Sequence, residues 1–385
     1  MTAATGRTPT ARVVRGRDLL DELGPALDDL VAAVDAPMMA RRPWLHTWIG
    51  CYTDYEPWGV VIEVEDGRME AAALFGERTR KGIAEIVGLG HGPCDQLRLP
   101  ARSPAAAEAL AAAVAGEIAR RRGRWTLRIE QLPVDDPVAL SLARRLRRAT
   151  VVPGDGSPVL AFDQGRDFKS YVGHNSRGVA KTMRNRVKRA GMELVIECLR
   201  DPQRVAEALP DVERVHRDRD LQLVRKSDLD DPRMERFWRT AIVQHAERGE
   251  LELVSLRFSG TLAGYVVGLL DGRSYRLWDG RFAPEYGWYS PGRLVDQSAL
   301  LSALEDERFE EFDWMRGEEE YKLRNSSHID PAQHLLAWSS WWVRALVEGP
   351  RKTKASLKRF RDRSKVLQRL WLKVKARLVV RDRRR

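Results

Sequence analysis

Apolar residues recur every three or four positions between Asp18 and Val34, where Leu19, Leu20, Leu23, Leu27 and Leu30 share one face. That spacing predicts an amphipathic helix, and PWLHTWIGCY, residues 43–52, predicts a second. The period then shortens. In WGVVIEVEDGRMEAAALF two apolar runs flank Asp66-Gly67, a strong short-range hairpin signal. GIAEIVGLG supplies another strand, the Ala-rich run from Ser103 to Arg122 a helix, and WTLRIEQL a strand after it.

The same order returns further on. A helix is expected from Phe168 to Ala190, then the strand MELVIECL, then helices over Pro202–Asp218 and Asp231–Arg248. LELVSLRFSGTLAGYVVGLLDGRSYRLWDGRF reads as three strands joined by Ser259-Gly260 and Asp271-Gly272, turns short enough to make neighbours antiparallel. A Ser-Pro-Gly turn, a helix to about Glu305 and the strand FEEFDWM follow. Helices, meander, helix and closing strand thus occur twice. The expected class is α/β (α+β, mixed sheet), with domains at 1–155 and 156–349 linked near VVPGDGSP, where Gly and Pro cluster. In the tail, residues 350–385, Leu357, Phe360, Leu367, Leu370, Trp371, Val374 and Leu378 fall on one helical face and most Lys and Arg on the other, which predicts a basic C-terminal helix.

Charge changes this picture in one place. The chain of 385 residues carries a net +11. The tail holds sixteen Lys or Arg against two Asp, so it carries +14 and the preceding 349 residues −3. The basicity belongs to the tail, where an apolar face opposite an arginine-rich one fits a membrane surface. RNA is the lesser fit, because aromatics are too sparse for a stacking platform, and packing on the body is a third option. Cys51, Cys94 and Cys198 are scattered and form no CxxC pair, so neither a disulfide framework nor a zinc site is indicated. The N-terminus lacks the continuous apolar core of a secretory signal, and no stretch approaches the roughly 18 apolar residues that span a bilayer. The expectation is a cytoplasmic protein without metal, peripheral at the inner membrane face through residues 350–385.

The candidate chemistry starts at YSPGRL, residues 289–294. The first turn of a helix has amides without internal partners and the positive end of the dipole. Pro loses nothing there, Gly292 lets a ligand approach the backbone, and Ser290 can cap the helix or bond an anion. The arrangement suits phosphate oxygens; a plain helix start is the alternative.

The basic SRGVAKTMRNRVKRAGMEL, YSPGRL and FDWMRGEEEYK, in this order and spacing, resemble the GNAT acyltransferase superfamily. The branch resembled is the CelD-like (cellulose-biosynthesis-type) one, related to the Fem peptidyltransferases. The front half, from PWLHTWIGCY to LGHGPCDQL, is similar to that branch's N-terminal half, so the likeness runs from about Arg42 to Trp338. It implies tandem GNAT folds and a donor that is acyl-CoA, most simply acetyl-CoA, or an aminoacyl-tRNA. It puts the donor pyrophosphate on the turn of Tyr289, Ser290, Pro291, Gly292, Arg293 and Leu294. The usual Gln/Arg-x-x-Gly-x-Gly/Ala loop is absent, and LRNSS stands after Tyr321-Lys322 where an aromatic is usual.

Acyl transfer to an amine needs a group to take a proton, donors for the oxyanion and an acid for the leaving group. Tyr321 matches the position of a GNAT general acid, or is a structural tyrosine near a helix start. Lys322 either binds a donor phosphate or substrate carboxylate, or is a solvated lysine. Asp279 is a base, an orienter of the amine, or a cap before Gly280. Glu318, Glu319 and Glu320 suit a helix N-terminus, Asp313 reads as structural, and His174 and Asn175 precede the basic helix. Arg177, Lys181, Arg184 and Lys188 share one face of that helix, available to tRNA, a lipid phosphate or a nucleotide-sugar, or simply solvated. The resulting expectation is an N-acyltransferase acting on an amine of a sugar or cell-envelope precursor. The alternatives are a Fem-type aminoacyl-tRNA-dependent transferase, or a non-catalytic scaffold with a nucleic-acid- or membrane-binding tail.

Overall fold

A computed structural model describes residues 9–349, apart from 66, 164 and 166. The tail helix expected over 350–385 and Asp66 of the expected hairpin lie outside the described residues, as do the side chains of His174 and Asn175.

In chain order the first stretch builds β1 (Thr10–Arg15), α1 (Leu19–Ala33), α2 (Arg42–Cys51), β2 (Glu56–Glu63), β3 (Met69–Arg80), β4 (Ile83–Gly88), α3 (Pro104–Ala119), β5 (Trp125–Pro133), α4 (Pro137–Arg145) and β6 (Ala149–Pro153). The second builds β7 (Ser157–Ala161), α5 (Phe168–Tyr171), α6 (His174–Arg189), β8 (Leu194–Leu199), α7 (Pro202–Gln222), α8 (Pro232–Glu247), β9 (Leu251–Phe258), β10 (Thr261–Asp271), β11 (Ser274–Phe282), α9 (Pro291–Glu305), β12 (Glu311–Asp313), α10 (Glu320–Leu323), β13 (His328–Asp330) and β14 (Ala332–Trp338).

Two seven-stranded sheets result, ordered β1-β2-β3-β4-β5-β14-β6 and β13-β7-β12-β11-β10-β9-β8. Each is an antiparallel four-strand meander whose fourth strand pairs in parallel with a fifth, β4 with β5 and β11 with β12. Such a pair requires a crossover, which α3 and α9 supply. The expected repeat is present, but its boundary differs from expectation. Residues 331–349 do not belong with 156–330, because β14 pairs with β5 on one side and β6 on the other. AQHLLAW, buried along most of its length, was not expected as a strand, and nothing local to it marks the sheet that accepts it.

Other departures have local causes. The first helix kinks at Gly24, whose φ of +46° precedes Pro25. The helix expected over 168–190 breaks at Gly173, where extended backbone separates α5 from α6. β1, β6, β7, β13, β14 and α4 were not expected from the pattern; the three residues of β13 are all exposed and no residue of β6 is fully buried.

The first unit's core is built around fully buried Trp44, Trp48, Trp58 and Phe75, the second's around Trp238, Tyr265, Tyr275, Phe258 and Phe312. Gly268 makes one close approach possible: a Cβ there would lie 2.2 Å from the Tyr275 hydroxyl oxygen. That hydroxyl donates to buried Glu252 at 3.0 Å, and Glu252 also accepts from Ser302 and Arg200, so the carboxylate is fully answered.

Candidate active site

The turn after β11 is where local sequence shapes a site. A 3-10 turn over Pro284–Tyr289 ends at Ser290, whose φ of +47° and ψ of +52° are left-handed. A capping serine normally has extended backbone; from this conformation the hydroxyl makes no cap to the helix that Pro291 begins. The Leu294 amide reaches back to the Ser290 carbonyl, and Pro291 has no N–H. The amides of Gly292 and Arg293 are therefore left open in the first turn. Gly292 keeps this turn close to Phe282: a Cβ there would lie 3.1 Å from Phe282 Cδ1, tighter than ordinary contact, so the ring would have to shift.

These residues open on a cleft of about 700 Å³ in the second unit. Ser290, Gly292, Arg293, Asp296, Tyr321 and Arg281 are among its lining residues. Of the expected phosphate-binding residues, the structure corrects one. The Leu294 side chain is fully buried in the core, and its amide is already bonded, so it offers a ligand nothing. Pro291 is buried too and contributes only its fixed backbone.

Tyr321, 47% exposed, lines the cleft edge-on to Trp314 with centroids 6.0 Å apart. Burial first, then the nearby Asp296 and Glu319 charges, push its phenol well above the usual range, so it remains a proton donor at any working pH. Lys322 departs from expectation. Its ammonium donates to the Arg316 carbonyl at 2.9 Å and pairs with Glu319, and it is buried away from the cleft lining. It fastens the start of α10 and does not present a charge to substrate. Glu319 stands at the N-cap position of α10 without a side-chain cap, while Glu320 faces the cleft, paired with Arg324.

Asp279 is the centre of a buried polar network. Its Oδ2 accepts from the Tyr265 hydroxyl at 2.8 Å and lies 3.2 Å from His216 Nδ1, and its Oδ1 pairs with Arg281 at 2.9 Å. His216 Nε2 faces Asp220 at 3.3 Å. Burial opposes the Asp279 charge, but Arg281 and His216 outweigh it and hold the carboxyl well below the usual range. Burial likewise opposes a charged His216, but Asp279 and Asp220 raise its pKa to about 9. Asp279 therefore has no capacity left to act as a base; it fixes Arg281 and Tyr265, both of which line the cleft. Asp313 is structural, held by Arg276 at 2.6 Å and by the Met315 amide.

The free carboxyl is Asp296, which sequence reading missed. It lies on α9 one turn beyond Gly292, half-buried in the cleft wall. No hydrogen bond or ion pair engages it among the described residues. Burial raises its pKa to about 7, with Lys322 and Arg293 pulling the other way. The signal was present: Gly292, Arg293, Asp296, Gln297 and Leu300 recur at helical spacing and all line the cleft. A carboxyl titrating near neutrality beside a phenol held protonated is an acid–base pair.

The basic helix is only partly as expected. Arg177 is turned inward to the Val172 carbonyl at 2.6 Å, leaving Lys181, Arg184 and Lys188 exposed. Arg186 stacks over Trp288 of the turn at 4.3 Å. Among the described residues no cluster of His, Cys, Asp or Glu is placed to hold a metal, and no helix is long and apolar enough to cross a membrane.

Comparison with known proteins gives the class. The family described as "Acetyltransferase (GNAT) domain" matches residues 174–323. FemX, in its crystal structure, is similar over 80% of this chain and 95% of its own, at 10% identity and a TM-score of 0.58. A C-terminal domain (DUF2156) from Agrobacterium fabrum is similar over 85% of this chain and 95% of its own, at 11% identity and 0.51. A conserved protein of unknown function from Bacteroides thetaiotaomicron covers 81% of this chain and 97% of its own, at 10% and 0.50. At these identities the likeness is one of fold. No curated protein matches the chain. The chain is thus a mixed α/β protein of two repeated units, the second of which carries the match to the GNAT acetyltransferase domain.

Proposed function

We propose that the second unit transfers an acyl group, most simply acetyl, from acyl-CoA to an amine of a sugar or cell-envelope precursor. The observation that carries this reading is the pairing, on one helix, of open first-turn amides with an unpartnered carboxyl one turn further on. The amides of Gly292 and Arg293 hold the donor's phosphates, with Ser290 and the Arg293 side chain at the rim. Asp296 takes a proton from the attacking amine as its nitrogen bonds to the thioester carbonyl. Tyr321 gives its proton to the departing thiolate as the C–S bond breaks. Asp279 keeps Arg281 and Tyr265 in position. No covalent enzyme intermediate is needed when both substrates are held in line.

The test is calorimetric titration of the full chain with acetyl-CoA. Saturable binding at micromolar to millimolar ligand is expected; no heat at millimolar ligand would sink the donor assignment. A second reading, a Fem-type aminoacyl-tRNA-dependent transferase, is favoured by the FemX-like fold and by exposed Lys181, Arg184 and Lys188. It requires tighter binding of charged than of uncharged tRNA, and equal binding removes it. Peripheral docking at the inner membrane face through residues 350–385 is part of the proposal. Exposed Trp341 and Trp342, stacked 3.8 Å apart just before that tail, support it. Truncation after Gly349 should abolish sedimentation with anionic vesicles, and unchanged sedimentation would end that part.

A further inference from the structure

The charges behind the cleft do not balance. His216, Arg219, Arg225 and Arg281 stand together on α7, the loop after it and β11. The carboxylates that answer them are Asp220, Asp279 and, more remotely, Asp228. Asp220 is taken by Arg225, at 2.6 Å, and by His216. Asp279 is taken by His216, Tyr265 and Arg281. Arg219 is the cation left over. Among the described residues no carboxylate stands within ion-pair distance of it; it donates to the Gln222 side chain and lies 4.0 Å over the Phe282 ring. Burial, Arg225 and Arg281 all weaken its hold on its proton, as expected of a guanidinium crowded by like charges. The Arg281 Nε–H is buried and makes no hydrogen bond among the described residues; Asp220 Oδ1, already shared by Arg225, stands off at 3.8 Å. Both arginines line the cleft, so the surplus charge and a guanidinium only loosely answered at its Nε border the same space.

A guanidinium kept among like charges without a counter-ion is destabilising unless a ligand supplies the anion. Arg219 and Gly292 both meet the Phe282 ring, so the unanswered charge borders the turn but is not part of it. On the reading above, which this inference rests on, the amides of the turn already answer the donor's phosphates. The remaining charge faces the other substrate. We propose that Arg219 and Arg281 form an anion subsite for the acceptor, gripping a phosphate or carboxylate carried by the amine-bearing molecule. The planar guanidinium suits two-point recognition of either group. An uncharged amino sugar would leave the subsite empty.

The test is calorimetric titration of the full chain, at fixed ionic strength and saturating coenzyme A, with inorganic phosphate, 2-aminoethyl phosphate and ethanolamine. Both phosphates should bind, and ethanolamine should bind at least about tenfold more weakly, the value of one charge-assisted contact. Arg219→Ala should weaken both phosphates by about tenfold and leave coenzyme A unchanged. Arg219→Lys, which keeps the charge but loses the fork, should fall between. Thermal unfolding checks that each variant is folded, and Arg219, half-buried, is a safer position than Arg281. Phosphate binding insensitive to Arg219→Ala and Arg219→Lys would overturn the subsite. Equal losses for phosphate and coenzyme A would overturn its assignment to the acceptor. If coenzyme A never binds while phosphate still depends on Arg219, the donor reading fails and the subsite survives it.

Discussion

Helices α3 and α9 hold the same place in their units, each carrying the chain from the fourth strand of a sheet to a parallel fifth. Both begin with Ser-Pro. Ser103 has extended backbone, φ −150°, and its hydroxyl accepts the Ala106 amide at 3.1 Å. Ser290 is left-handed and caps nothing. Beyond the shared dipeptide stand Ala105 in one and Gly292 in the other; counted from the serines, Ala109 stands where α9 has Asp296. One copy uses its serine to satisfy the helix start from within, which strengthens the helix and removes an open amide. The other leaves those donors to an outside partner. The backbone conformation of one residue, φ −150° and ψ 159° at Ser103 against φ +47° and ψ +52° at Ser290, separates a capped helix start from an uncapped one.

The comparison can be broken in several places. Asp296→Asn should lower kcat/KM by about 10²–10⁴, the range for loss of a general base, whereas Ala109→Asp should add nothing. The carboxyl must lose its proton before it can accept one, so the wild-type rate should climb as pH passes about 7, and this limb should vanish in the variant. A retained limb would remove Asp296 from the chemistry. Gly292→Leu drives a side chain against Phe282 and should weaken coenzyme A binding at least about tenfold; Ala105→Leu should leave it intact, and equal effects would erase the distinction between the turns.

His216→Gln should cost on the order of 3–5 kcal/mol, the usual result of removing one partner from a buried charged set. The sign with pH follows from the raised histidine pKa. Its contribution is full below about 6.5, the unfolded value, and is lost as pH rises through about 9. Urea unfolding across that window should show the wild type losing stability and the variant flat by comparison. The smallest effect concerns the caps themselves. Ser103→Ala should cost about 1 kcal/mol, while Ser290→Ala should stay within about 0.5 kcal/mol. Equal losses would mean that Ser290 caps its helix in solution.

Much of the architecture was legible because burial repeats at helical or strand spacing. The meanders, the crossover helices and the Ser-Pro-Gly turn all follow from local pattern. Tyr321 and the turn were legible as cleft residues, but the roles of Lys322, Leu294 and Asp279 were not. Each of those depends on what packs around it: a carbonyl from Arg316, the core, and a histidine from α7. Asp296 was hidden for the opposite reason. A carboxylate on an exposed-looking helix reads as solvated until the cleft wall removes its water. His216 and Tyr265 carry no pattern of their own, since Tyr265 meets Arg281 only through strand register.

The order of strands in the first sheet bears on how this protein can be dissected. β6 pairs only with β14, and β14 comes from beyond the second unit in the sequence. A fragment ending at Asp155 would leave β6 unattached and bare the edge of β5, an invitation to aggregation. The second unit thus interrupts the first in sequence, between residues 155 and 331, and the first sheet exists as a whole only after translation has passed Trp338.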